Sequence, residues 1–199
     1  MKKLIEQALE SSFDYLGYRK HIDELYDRGE TTSGDTSDAM LHYTDLNRSR
    51  MNKWDKRYNP SEEVVNAVKS LDTPEIWLVL TEGWCGDAAQ SLPLLVKMAE
   101  ANANIQIKLA LRDQNTDLMD HFLTNGGRAI PKLIRINAET LEVINDWGAR
   151  PAIAQEMVVS AKAAGEDYAT PLHLWYAKNK GAEMEREMVE LLLGVGSEA

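Results

Sequence analysis

The densest apolar run in the chain, Ile76-Trp77-Leu78-Val79-Leu80, follows Thr73-Pro74 and has the continuity of a strand buried on both faces. Just beyond it, Ala88, Ala89, Leu92, Leu95, Val96, Met98 and Ala99 recur at helical spacing, which predicts a helix opening near Gly86. Ile105 to Leu111 alternates and is rich in β-formers, so it reads as a second strand, parallel to the first through the helical crossover. Residues 115–123 suit a short helix stopped by Asn125-Gly126-Gly127. Ile130 to Ile136 and Leu141 to Ile144 read as the two strands of a hairpin turning at Asn137-Ala138-Glu139. Gly148 marks the exit from that hairpin, and a helix over 150–164 is closed by Gly165.

On either side of this alternating stretch the pattern is helical. Residues 2–28 read as one amphipathic helix interrupted at Gly17, followed by an exposed loop over 28–38. Asp38 is positioned to cap a helix reaching about Tyr58, with Met40, Tyr43, Met51, Trp54 and Tyr58 on one stripe. Pro60-Ser61 followed by Glu62 and Glu63 is a helix start, with Ser61 as the cap and acids in the first turn. After Gly165 a helical stretch runs from about Pro171 to Leu193, with Gly181 as a break. The expectation is an α/β fold, a mixed sheet with helices on both faces. An N-terminal helical extension (1–60) and a C-terminal one (165–199) flank a core over 61–164.

Charge and composition narrow the chemistry. The 199-residue chain carries a net charge of −10, which argues against a general nucleic-acid binder, because affinity for phosphate backbones rests on Lys and Arg. Arg48, Arg50, Lys53, Lys56 and Arg57 nevertheless cluster on the helix that carries Trp54 and Tyr58. They form either a solvated basic face, the reading favoured in an acidic chain, or a patch for RNA or an anionic ligand. Glu6, Glu10 and Asp14 interrupt any signal-like apolar segment at the N-terminus, and no run reaches the ~18 apolar residues of a membrane span, so a cytoplasmic protein is expected. His21, His42, His121 and His173 have no metal-ligand spacing, so neither a metal nor a cofactor is expected.

One cysteine is present, Cys85, and no internal disulfide can form. It falls where the apolar strand gives way to the helix, beside the positive end of the helix dipole and the unpaired first-turn N–H groups. Such a position favours a thiolate and can lower a cysteine pKa from ~8.5 into the range ~3.5–7.5. A lone cysteine is also often a small buried hydrophobe.

With Trp84-Cys85-Gly86 at the first strand-to-helix junction and Arg128-Ala129-Ile130-Pro131 opening the hairpin strand, residues 61–164 resemble the thioredoxin superfamily. The Trp84-Cys85-Gly86-Asp87-Ala88-Ala89-Gln90 stretch is similar to that of a bacterial thioredoxin-like branch rather than thioredoxin itself. The resemblance implies that Cys85 is the active-site cysteine and that Gly86 and Asp87 stabilise its thiolate through their N–H groups. It also implies a cis Ile130–Pro131 bond. Trp84, Ile130 and Pro131 would form the edge on which an extended substrate docks. No counterpart of the family's first strand is evident.

The departures from the family pattern decide what remains feasible. Its second cysteine is Ala88 here, its proline between the cysteines is Asp87, and its buried acid on the preceding strand is Val79. An attacked disulfide therefore cannot be resolved within the motif. Glu82 and Asp87 are the candidates for a replacement proton relay, although carboxylates near a thiolate raise its pKa, against the helix dipole. Two readings follow. In the first, Cys85 performs monothiol exchange with protein thiols or mixed disulfides carrying a small thiol, or senses oxidants. In the second, the protein is a redox-inert binding module using the groove near Trp84 and Ile130-Pro131.

Overall fold

The computed structural model describes residues 1–194. Helices α1 (Lys2–Glu10), α2 (Tyr15–Asp27), α3 (Asp38–Arg57) and α4 (Glu62–Lys69) precede strand β1 (Glu75–Thr81). Helix α5 (Gly86–Ala99) crosses to β2 (Ile105–Leu111), and a 3₁₀ turn at Arg112–Gln114 leads into the short α6 (Thr116–Met119). Strands β3 (Lys132–Asn137) and β4 (Val143–Gly148) follow, then α7 (Ala152–Ala164), α8 (Ala169–Asn179) and α9 (Ala182–Leu193). The sheet order is β2-β1-β3-β4, with β1 parallel to β2 and antiparallel to β3, and β3 antiparallel to β4. This is the expected mixed α/β sheet with helical additions.

β1 is the central strand by burial as well as by order: Trp77, Leu78, Val79 and Leu80 are all fully buried, as a run apolar at every position requires. Ser61 caps α4, accepting the N–H of Val64, as its sequence context predicts. Gly148 is confined by close approach: at φ +129° a Cβ there would lie 2.2 Å from the Pro131 carbonyl oxygen. Gly181, at φ +90° between α8 and α9, would bring a Cβ within 2.7 Å of Leu94 Cδ2. The left-handed turn that seats α9 against the core thus favours glycine, since a side chain there would be strained and would displace Leu94.

Several boundaries differ from expectation, each for a local reason. Residues 2–28 form two helices whose break lies at residues 11–14, where Phe13 pairs its backbone with Leu109 at the sheet edge. Asp14 then caps α2 by accepting the N–H of Gly17, so Gly17 lies inside a helix and does not split one. Ser37, not Asp38, caps α3 through the Met40 N–H. The expected helix over 115–123 shrinks to one turn, and Asn125 and Gly126, both at positive φ, form a tight turn bridging Thr124 and Gly127. In the hairpin, Leu141 adopts positive φ inside a longer turn, and β4 begins at Val143. A bulge at Arg135/Ile136 leaves Ile144 out of the ladder and exposed.

The flanking segments are not independent appendages. α3 packs against α5, and α9 packs against α4 with Met184, Met188 and Leu192 in the main core. α7 and α8 differ: Ala154, Val158, Leu172 and Tyr176 form a small cluster of their own. Among the described residues, no helix is long and apolar enough to cross a membrane.

Candidate functional site

Cys85 is the residue preceding the first turn of α5, with extended backbone angles (φ −79°, ψ 118°). The loop that delivers it is clamped from the N-terminal extension. Asn47 Nδ2 on α3 donates to the Gly83 carbonyl at 3.1 Å, and the Thr32 hydroxyl accepts the Gly83 N–H at 3.0 Å. The loop over 28–38, expected to be exposed, therefore has a buried part, Thr31, and a structural function at this turn.

The thiol faces inward. Cys85 is 8% exposed, and its Sγ donates to the Ile130 carbonyl oxygen at 3.3 Å. Burial pushes the thiol up to about 12, and the Asp87 carboxylate adds to this. The N–H groups of Ala88 and Asp87 and the Arg150 guanidinium pull the other way without prevailing. The helix N-terminus is thus present and correctly placed, but desolvation outweighs it. Of the two N–H groups expected at the sulfur, that of Asp87 is there; its companion belongs to Ala88, in place of Gly86.

Asp87 is no free proton acceptor. Its Oδ2 accepts from Arg150 Nη2 at 2.6 Å and its Oδ1 from the Tyr176 hydroxyl at 2.7 Å. Arg150 follows β4 and Tyr176 lies on α8, so the carboxylate ties the start of α5 to two distant parts of the chain. Burial beside this carboxylate raises the Tyr176 phenol well above its ordinary value. Glu82 is fully buried and points elsewhere, its Oε1 accepting the Asp113 N–H at 3.0 Å. Burial raises its carboxyl, but it is not among the groups acting on the sulfur. The proposed relay of Glu82 and Asp87 is not assembled.

The Ile130–Pro131 bond is cis, and both residues are buried. Trp84 is half-buried, with the Arg112 guanidinium 5.1 Å from its ring centroid. Of the expected docking edge, the Ile130 carbonyl lies against Cys85 and already accepts from Sγ.

The other side of the α5 N-terminus is covered by α8 and α3. A Cβ on Gly86 would meet His173 Cε1 at 3.0 Å and Arg50 Nη1 at 3.6 Å. Burial and Arg50 lower the His173 pKa against the opposing pull of Asp87, and its Nδ1 is buried with no hydrogen-bond partner. Next to this contact lies a cavity of about 470 Å³, lined by residues of α3, α5 and α8 that include Arg50, Trp54, Gln90 and His173.

The strand–helix junction, the buried cysteine and the hairpin segment crossing it are the arrangement that a family model described as Thioredoxin matches over residues 33–166. The chain belongs to the thioredoxin family. Two solved structures share its fold. One, an HIV epitope scaffold, is 15% identical with a TM-score of 0.58; the other, a Pseudomonas aeruginosa protein of unknown function, is 17% identical with a TM-score of 0.54. Each comparison covers 87% of this chain and 98% of the other. No curated protein matches the sequence.

Within this thioredoxin fold, the sequence reading missed Arg150 and Tyr176, named Arg50 only as part of the basic face of α3, and passed over His173 after testing it only as a metal ligand. Tyr176 reaches Asp87 across 89 positions and Arg150 across 63, with no motif or periodicity linking them. The basic face of α3 carried the one available signal, for Arg50. It is in part a cavity wall and not a wholly solvated face.

Proposed function

We propose that the protein is a thioredoxin-fold binding module in which Cys85 is held as a thiol, in place of a standing thiol–disulfide exchanger. The observation that supports this most directly is the Cys85 Sγ, buried and donating to the Ile130 carbonyl that an extended substrate would need. Ala88 in place of a resolving cysteine and the engagement of Asp87 by Arg150 and Tyr176 point the same way. Ile130 and Pro131 are buried and the Ile130 carbonyl is already engaged by Sγ, which favours the cavity between α3, α5 and α8 as the binding surface.

A second reading keeps thiol chemistry, favoured by the Asp87 and Ala88 N–H groups at the sulfur and by Arg150 nearby. With α8 displaced, Cys85 thiolate would attack the sulfur of a mixed disulfide between a protein and a small thiol, forming a new S–S bond. The departing thiolate would take a proton from water, and a second external thiol would regenerate Cys85.

The deciding measurement is the pH dependence of Cys85 alkylation by iodoacetamide in the native chain, with the denatured chain as reference. The binding-module reading expects slow reaction throughout pH 7 to 9.5 and fast reaction on denaturation. A native midpoint well below ~8.5 would overturn it in favour of monothiol exchange.

A further inference from the structure

The cavity beside α5 gathers the two arginines that, among the described residues, lie in no salt bridge. Every arginine away from it is in a salt bridge: Arg19, Arg28, Arg48, Arg112, Arg128, Arg135, Arg150 and Arg186 each lie within 4 Å of a carboxylate. The two with no such partner among the described residues, Arg50 and Arg57, both line this cavity. Lys53 and Lys180 line it too, and add positive charge although, like most lysines among the described residues, they lie in no salt bridge. In a chain with 32 acids against 22 Lys and Arg, two arginines outside any salt bridge and two lysines around one cavity make a positive surface suited to an external anion.

The cavity is more than a basic rim. Trp54 forms part of its wall, and its indole is fixed in plane by Nε1 donating to Gln90 Oε1 at 2.6 Å, with Tyr58 packed edge-on at 6.1 Å. The volume of about 470 Å³ falls in the ~300–1,000 Å³ range of sites for small organic ligands. Arginine forks suit phosphate or carboxylate oxygens, and several cations together favour more than one negative charge on the ligand.

We propose that this cavity binds a small phosphorylated molecule with a planar ring. The ring lies against Trp54, and the phosphates lie among Arg50, Lys53, Arg57 and Lys180. The assignment rests on the binding-module reading above and specifies its ligand class. Bare inorganic anions would leave the aromatic wall unused. An acidic protein segment would need an open groove and not a cavity walled by three helices.

Isothermal titration of the full chain with ADP, inorganic pyrophosphate and adenosine tests it, alongside the exposed-residue variants Lys53→Gln and Arg57→Gln. ADP should bind one to one, at least tenfold more tightly than pyrophosphate or adenosine. Its affinity should fall at least tenfold in Arg57→Gln and more in the double variant, with unchanged thermal melting. Absence of ADP binding at millimolar concentration, or binding indifferent to both substitutions, would overturn the proposal. So would pyrophosphate as tight as ADP, which would mean a bare-anion site, or displacement of ADP by low micromolar poly-glutamate, which would mean a protein-docking surface. If ADP fails while Cys85 stays unreactive to iodoacetamide, the ligand class is wrong and the binding-module reading stands. If ADP binds and Cys85 alkylates rapidly at neutral pH, the reverse holds.

Discussion

Two carboxylate–arginine pairs flank β1, a fully buried one at its first residue and a partly buried one just past its end, and they are built differently. At the start of the strand Arg135 grips Glu75 with two nitrogens, at 2.6 and 2.9 Å, and Trp77 Nε1 donates to the same carboxylate at 3.0 Å. The remaining Arg135 nitrogen donates to Asn145 Oδ1 and to the Leu191 carbonyl, joining β1, β3, β4 and α9. Exposure is 4% for Glu75 and 3% for Arg135, and no polar atom of either side chain lacks a partner. Past the end of the strand, Arg150 reaches Asp87 with one nitrogen and Gln155 with another, and its buried Nε has no partner. The first pair is saturated and the second is not. Saturation suits an element that fixes the sheet; the unsatisfied pair adjoins a thiol, a cavity and a separately packed helix, where a site can rearrange.

The sharpest way to break that contrast is Arg135→Met. It leaves the Glu75 carboxylate in the core with only the Trp77 indole N–H as partner, and orphaning one partner of a buried ion pair costs roughly 3–5 kcal/mol. The expected result is a large fall in stability by urea unfolding, with Cys85 alkylation unchanged wherever the chain is still folded. Adding Glu75→Leu should recover only part of the loss, since the stranded charge goes but Trp77 Nε1 then loses its acceptor. A small effect of Arg135→Met alone would mean that the pair is not the rigid fixture described here.

How much of this was legible in the sequence follows the range of the interactions. The β1–α5 junction at Cys85, the Ser61 cap, the parallel β2 and the Gly181 break are set by neighbours in the chain, and all appear in the pattern. The break after α1 is set by Phe13 pairing with Leu109, a partner that no local pattern names. The site divides the same way. Trp84, Cys85 and Ile130-Pro131 carry a family signature, whereas Arg150, Tyr176 and His173 meet α5 only through the fold. The competition between helix dipole and burial at Cys85 could not be weighed from the sequence, because the sulfur is closed off by contacts distant in the chain such as the Ile130 carbonyl.

Asp87→Asn addresses the unsaturated pair. The substitution keeps the shape and an oxygen for Tyr176, but removes the charge that raises the Cys85 pKa and leaves Arg150, which lowers it, without its counter-ion. Cys85 should alkylate faster at pH 8.5, roughly tenfold for each unit its pKa falls. Burial, the larger cause, remains, so the midpoint should stay above that of the denatured chain. An unchanged or slower rate would show that Asp87 does not act on the sulfur.

The smallest effect expected, and the one that separates a moving part from a fixed one, is that of Tyr176→Phe. Its hydroxyl joins α8 to Asp87 on α5, while the ring packs in the α7–α8 cluster apart from the main core. A buried thiol reacts through local opening, and an element packed in its own cluster can open below the free energy of global unfolding. Losing one net hydrogen bond of about 1 kcal/mol should therefore raise the Cys85 alkylation rate roughly fivefold. Global stability by urea unfolding should move far less, because Asp87 keeps Arg150 and α9 remains in the core. If rate and global stability instead change in proportion, α8 opens only when the whole chain unfolds. The covered cysteine would then be as fixed as the Glu75–Arg135 end of the sheet.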